Sequence, residues 1–216
     1  MQARFITIEG GEGAGKSVFT QGLSRALEEA GIPLFLSREP GGTPLADGLR
    51  ELFLHPPQGE KPTPATELLM VSAARAQHVA MRVQPTLHSG KWVLCDRFYD
   101  STRVYQGALG GLDESVVEPI IAFSVGDCHP HLSFFLDCPA AVAMQRIESR
   151  ELAKGRVQEL RNRYDAGSRA MHEQLRNAYL SLAKKFPDRI VLINAQASPQ
   201  DMVDQAMHVI RNRWAL

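Results

Sequence analysis

Residues 5–17 read Phe-Ile-Thr-Ile-Glu-Gly-Gly-Glu-Gly-Ala-Gly-Lys-Ser, and this stretch decides the fold. The apolar run Phe5 to Ile8 leads directly into Gly10, Gly11, Glu12, Gly13, Ala14, Gly15, Lys16 and Ser17, a full match to G-x-x-x-x-G-K-[ST]. Successive backbone N–H groups must all point at one polyphosphate. That requires glycines free to take unusual φ/ψ values and no side chains in the way. Lys16 then reaches the β- and γ-phosphates. The Ser17 hydroxyl is placed to ligate Mg2+, and the helix that starts there turns its positive end to the anion.

Beyond the loop, short apolar strands alternate with helices. A helix from about Lys16 to Ala30 carries Leu23 and Leu27 on one face and stops at Gly31 and Pro33. Leu34 to Ser37 is a second strand. Pro44 to Leu54 is helical with Leu45, Leu49 and Leu52 in phase, and the proline-rich stretch 55–64 is a loop. Ala65 to Ser89 is a long helix that Pro85 kinks or restarts, followed by a strand at Lys91 to Cys95. A short helix (Asp113 to Ser124), a strand (Leu132 to Leu136), a helix (Ala140 to Arg150), a long helix from about Asn162 to Lys185, a strand (Ile190 to Ile193) and a helix (Pro199 to Arg213, N-capped by Ser198) complete the chain. Five apolar strands separated by helices predict an α/β three-layer sandwich around a five-stranded parallel sheet, in one domain spanning 1–216.

The 24 basic and 24 acidic side chains cancel, so bulk charge points to neither a nucleic-acid nor a membrane partner. Small molecules are the expected partners. No apolar run approaches the ~20 residues of a membrane span, and residues 1–4 have no signal-peptide profile, which together predict a cytoplasmic protein. Cys95, Cys128 and Cys138 are odd in number and lack metal-ligand spacing, so they read as buried thiols.

In a parallel sheet ligands gather at the carboxyl ends of the strands. The second strand delivers Ser37-Arg38-Glu39-Pro40-Gly41-Gly42-Thr43, and the third delivers Asp96-Arg97-Phe98. A carboxylate ending an apolar strand can hold Mg2+ or its water from the side opposite Ser17, and Asp96 is assigned that role. Seven arginines fall between Arg146 and Arg176 together with five acids. Taken singly each reads as a solvated salt-bridge partner. Taken together, the stretch from Glu148 to Arg161, with Gly155 and weak apolar periodicity, reads as a cover that closes arginines over a transferring phosphoryl group. Planar guanidinium suits that task because it bridges several oxygens at once.

The phosphate loop, Arg38-Glu39-Pro40-Gly41-Gly42-Thr43, Ala73-Ala74-Arg75-Ala76-Gln77-His78, and Asp96-Arg97-Phe98 with Tyr105-Gln106-Gly107 occur in this order, and together they resemble bacterial thymidylate kinase. The similarity runs from about Phe5 through Asn162-Arg163-Tyr164-Asp165. It implies transfer of the ATP γ-phosphoryl group to dTMP on a nucleoside-monophosphate-kinase sheet, with ATP and Mg2+ as cofactors and a homodimer as the usual assembly. It further implies that Glu12 meets the acceptor sugar, that Arg97 binds the acceptor phosphate, and that Arg38 helps frame that site. Arg75 matches the arginine that hydrogen-bonds the thymine edge, and Thr102, Tyr105 and Gln106 match positions lining base and sugar. Gly13 carries no arginine, so the catalytic arginine is expected from the cover at about 148–163, with Arg150 as first choice and Arg156 as second.

The chain also departs from the family pattern. Val71 stands where the family has a phenylalanine that stacks on the base. Such stacking is worth ~1–3 kcal/mol in comparable base sites, so weaker dTMP binding or relaxed base selectivity is expected. Val18 follows Ser17 in place of threonine. Asn194 ends the last strand where an aspartate often lies near the adenine pocket, and it is counted among the nucleotide-binding positions. His78, one turn beyond Arg75, reads as a packing residue. Two alternatives remain at this level: a phosphate-loop kinase for another pyrimidine monophosphate, and a protein that holds nucleotide without transferring phosphate. A GTPase switch is disfavoured because no Asn-Lys-x-Asp motif appears.

Overall fold

The structure is a computed structural model that describes residues 2–57, 60–153, 164 and 167–215. β1 (Phe5–Glu9), β2 (Leu34–Arg38), β3 (Trp92–Asp96), β4 (Leu132–Asp137) and β5 (Ile190–Asn194) form one sheet in the order β2-β3-β1-β4-β5, with every pairing parallel. The chain reverses its direction of travel across the sheet at β1, which puts the phosphate loop at the topological switch point, the place where open parallel sheets bind ligands. Register then aligns the strand ends: Ile8 and Arg38 both pair with Asp96, and Asp137 pairs with Asn194.

Helices cover both faces. α1 (Lys16–Glu29) and α9 (Pro199–Trp214) pack together on one, burying Phe19, Leu23, Leu27, Met207 and Ile210 with Ile6, Ile8 and Phe134 of the sheet. On the other lie α3 (Pro64–His78), α6 (Glu114–Val125) and α8 (Arg169–Lys185), whose Leu68, Ile121 and Tyr179 meet Phe5, Val93 and Phe135. α7 (Ala140–Ala153) precedes α8, and α2 (Pro44–Leu54) packs against α3. Thr43, Thr63, Asp113, Ser168 and Ser198 each cap a helix by accepting a backbone N–H. Gly31, at φ 75°, ends α1 as expected.

Two expectations need correction. The helix expected from Asn162 begins instead at Arg169, where the Ser168 hydroxyl accepts from Met171 N and competes with any earlier start; Asn162 and Arg163 lie outside the described residues. The in-phase row on α2 faces outward, with Leu45 and Leu52 60% and 49% exposed, while Ala46 and Phe53 are the buried pair. Pro85 restarts the long helix as expected: a π-helical turn, Val79–Val83, separates α3 from α4 (Gln84–His88), which has Pro85 in its first turn, and Gln84 N–H donates to Val79 O. Proline has no N–H to satisfy the turn before it and its ring crowds that turn's carbonyl, so the helix widens there. The segment between β3 and α6, for which no element was expected, is helical: α5 (Tyr99–Thr102) runs into a π-helical stretch, Arg103–Leu109.

Candidate active site

The phosphate loop turns between β1 and α1. Gly10, Gly13 and Gly15 have φ of 148°, 76° and 89°, and a Cβ on Gly13 would lie 2.3 Å from Ala143 O, so neither its conformation nor its surroundings admit a side chain. α1 starts at Lys16 behind the N-cap Gly15, which has no side chain to cap it, leaving the first N–H groups of the helix open to an anion. Lys16 Nζ bends back over the loop and donates to Gly10 O at 3.0 Å and Gly11 O at 2.9 Å. Burial, with help from the Arg97 charge, lowers its pKa to about 8.

Glu12 and Arg97 form the hinge between the loop and the rest of the site. Arg97 Nη2 donates to Glu12 Oε1 at 2.7 Å, and the Tyr105 hydroxyl donates to the same carboxylate at 2.9 Å. Burial alone would raise the Glu12 pKa, yet it is lowered because the Arg97 and Lys16 charges outweigh that effect. Arg97 itself sits at φ 70°, a left-handed conformation that costs a non-glycine residue of order 1–3 kcal/mol and concentrates at functional positions. Its guanidinium lies 5.0 Å over the Tyr105 ring and donates to Ser101 Oγ at 3.2 Å. Glu9, at the end of β1, fixes the turn beneath it by accepting from Phe98 N, Ser101 Oγ and the Tyr179 hydroxyl. Burial, and secondarily the Asp100 charge, raises the Glu9 pKa to about 7.

A second buried group fixes Arg75. Glu39, after β2, accepts from Arg75 Nε at 2.8 Å through one oxygen and pairs with His78 Nδ1 at 2.9 Å through the other, while His78 Nε2 meets Ser37 Oγ. Arg75 Nη2 donates to Thr102 Oγ1, and its plane covers Phe98 at 5.3 Å. Nη1 is buried without a protein partner. Charged hydrogen-bonding groups are not left so at low cost; this one lines a cavity and is ready for an acceptor in it.

That cavity, of about 410 Å3, is shared by Glu12, Gly13, Gly15, Lys16, Ser17, Arg38, Val71, Arg75, Asp96, Arg97, Thr102, Tyr105, Gln106 and Arg150, nearly all the positions singled out from sequence. Gly10, Gly11 and Ala14 shape the loop without lining the cavity. Asn194 turns to Gln196 N, which donates to its Oδ1, and is not among the lining residues. Arg156 lies outside the described residues, as does the cover beyond Ala153 apart from Tyr164. Arg150 is partly exposed, with Nε 3.0 Å from Glu151. Arg146, one turn earlier on α7, also approaches the loop, its Nη1 4.0 Å from the position of a Cβ on Gly15, but it is not among the lining residues.

Ser17 is exposed at the start of α1, and Asp96 has one buried carboxylate oxygen without a partner. Among the described residues no group of three His, Cys, Asp or Glu could hold a metal ion. One hydroxyl and one carboxylate suit a Mg2+ whose remaining ligands are phosphate oxygens and water.

Sequence reasoning missed Glu9, Glu39, Phe53 and Tyr164. Glu9 closes β1 and Glu39 follows β2, and neither was given a role of its own. Phe53 was masked by the leucine row beside it, and the Tyr164 hydroxyl donates to Glu67, which also accepts from Gln106 Nε2.

Comparison with known proteins agrees with this geometry. The thymidylate kinase family model matches residues 8–206. A thymidylate kinase of Chlamydia trachomatis is 44% identical over 96% of the chain and 98% of its own length, and one from Syntrophotalea carbinolica is 40% identical over 95% and 92%. The crystal structure of thymidylate kinase from Ehrlichia chaffeensis superposes with a TM-score of 0.73 at 28% identity, covering 97% of this chain and 99% of that one.

Proposed function

The chain belongs to the thymidylate kinase family, and from that premise we propose a division of labour for its residues in moving the ATP γ-phosphoryl group to dTMP, giving dTDP and ADP. The observation that carries the reading is that one cavity joins a phosphate loop with its lysine to a buried arginine, Arg75, that keeps a donor unpaired 59 residues along the chain from Lys16.

No strong nucleophile is needed, because the acceptor is already a phosphate oxygen. The work is alignment and charge neutralisation. The loop amides and Lys16 hold the donor phosphates. Arg97 is pinned by Glu12 and Ser101 and presents the rest of its guanidinium to the acceptor phosphate, with Arg38 at the cavity rim. Glu12 keeps its charge through Arg97 and Lys16, and so offers an acceptor for the sugar hydroxyl. Arg75 donates Nη1 to a carbonyl of the base, while Thr102, Tyr105 and Gln106 set the walls. Arg150 or Arg156 closes from the cover to stabilise the equatorial oxygens. Ser17 and Asp96 would hold Mg2+, which when bound supplies charge for the phosphate oxygens.

The reading extends to a homodimer. α3 packs against both α2 and α6, and the three helices expose Leu45, Leu52, Leu69 and Phe123, the last 90% exposed, apolar side chains that a second copy would cover. It also extends to a cytoplasmic setting, which suits the three unpaired, buried thiols. No helix among the described residues is long and apolar enough to cross a membrane.

A coupled ADP-release assay across the nucleoside monophosphates tests the acceptor. Turnover should depend on dTMP, and a preference for dUMP or dCMP would defeat the assignment. Light scattering on the eluting protein tests the dimer.

A further inference from the structure

A pyrimidine ring gains most from a flat apolar surface, and Val71 on the cavity wall, being aliphatic, does not offer one. Four aromatic rings line the cavity. Phe98 is 1% exposed, meets Phe5 edge-on at 4.9 Å and is covered by the Arg75 guanidinium. Tyr105 is tied to Glu12 through its hydroxyl and covered by Arg97. Tyr164 turns an edge to Tyr105 at 4.9 Å and anchors its hydroxyl on Glu67. The fourth ring, Phe53, comes from α2, the helix packed beside the one that carries Val71.

Phe53 lies nearly parallel to Tyr164, 27° between planes, but with centroids 6.4 Å apart. The tightly stacked pair of the same molecule, Phe135 and Tyr179, stands at 4.8 Å and 15°. The Phe53 and Tyr164 rings are therefore stacked but set further apart than that pair, and both line the cavity that holds Arg75. We infer that Phe53 is the surface on which the pyrimidine ring of the acceptor stacks, with Tyr164 as its cover, so that α2 supplies the aromatic contact Val71 lacks. The inference rests on the thymidylate kinase reading. It replaces the expectation of weakened base binding: Phe53 sets acceptor affinity and leaves the donor side untouched.

The test uses the full chain, with dTMP binding read by calorimetry and turnover by ADP release. Phe53→Leu should raise both Kd and KM for dTMP about tenfold, with KM for ATP within about twofold, as expected for a lost stacking contact. Adding Val71→Phe to Phe53→Leu should restore most of the loss, which a merely structural role for Phe53 would not allow. Phe53→Met keeps the bulk but not the plane, protects the fold, and should behave like Phe53→Leu. Unchanged dTMP affinity in either single variant, or a double variant no better than Phe53→Leu, would overturn the inference. Failure of the kinase reading looks different: wild-type protein would then produce no ADP in response to dTMP, whatever position 53 carries.

Discussion

Replacing Glu9 by glutamine should change how stability depends on pH. Glu9 is buried, its pKa is raised from 4.5 to about 7 by burial and by Asp100, and its oxygens accept from Phe98 N, Ser101 Oγ and the Tyr179 hydroxyl. Between these two values the unfolded chain has released the proton and the native state still holds it, so stability falls by about 1.4 kcal/mol for each pH unit. The contribution is complete below pH ~4.5 and gone above ~7. Going from pH 5 to pH 8, wild-type protein should lose about 2–3 kcal/mol relative to Glu9→Gln, which carries no proton to release. The glutamine carbonyl can still accept from Phe98 N, and its amide can donate to a hydroxyl, so the geometry survives the exchange. Urea unfolding of both proteins at pH 5, 6, 7 and 8 measures the difference. If the two stability curves run parallel across this range, Glu9 is ionised throughout and the argument from burial is wrong.

Three further expectations concern the site. Lys16→Ala and Arg97→Ala should each lower kcat/KM for dTMP by about a hundredfold or more; near-normal turnover of either variant in the ADP assay would remove that residue from the mechanism. Because Lys16 loses its proton near pH 8 in the free protein, kcat/KM for ATP should decline as pH rises through that value, and Lys16→Arg should move the falling limb upward. A profile flat to pH 9.5 would contradict this. Gly13→Ala should destabilise by roughly 2–4 kcal/mol in denaturant unfolding, because it adds left-handed strain and a 2.3 Å collision with Ala143 O.

The parts of this protein legible in its sequence are those that obey a short-range rule. The strand before Gly10, the five apolar runs, and the Ser198 cap each depend on neighbours a few residues away, and each stands as read. What escaped depends on distant partners. Glu9 and Glu39 look like any polar residue closing a strand, and only packing reveals that one holds the Arg97 turn and the other the Arg75 side chain. The leucine phase of α2 was a true periodicity attached to the wrong face, since the helix buries Phe53 and Ala46 and exposes the leucines. The π-helical stretch carrying Tyr105 and Gln106 has no apolar rhythm to betray it, because its residues are ordered by Glu12 and Glu67.

The contact between Gly13 and α7 also constrains how this enzyme can evolve. A glycine codon becomes an arginine codon by a single base change, so a loop arginine at position 13 is mutationally near. It is structurally remote, because the first carbon of any side chain there would overlap the backbone of Ala143. α7 would have to retreat before the new residue could be tolerated, and the helix that retreats is the one carrying Arg146 and Arg150. In the division of labour proposed above, a lineage starting from this sequence would move Arg150 out of place before gaining the replacement, so the two ways of supplying that charge are separated by a fitness valley rather than joined by a path of neutral steps.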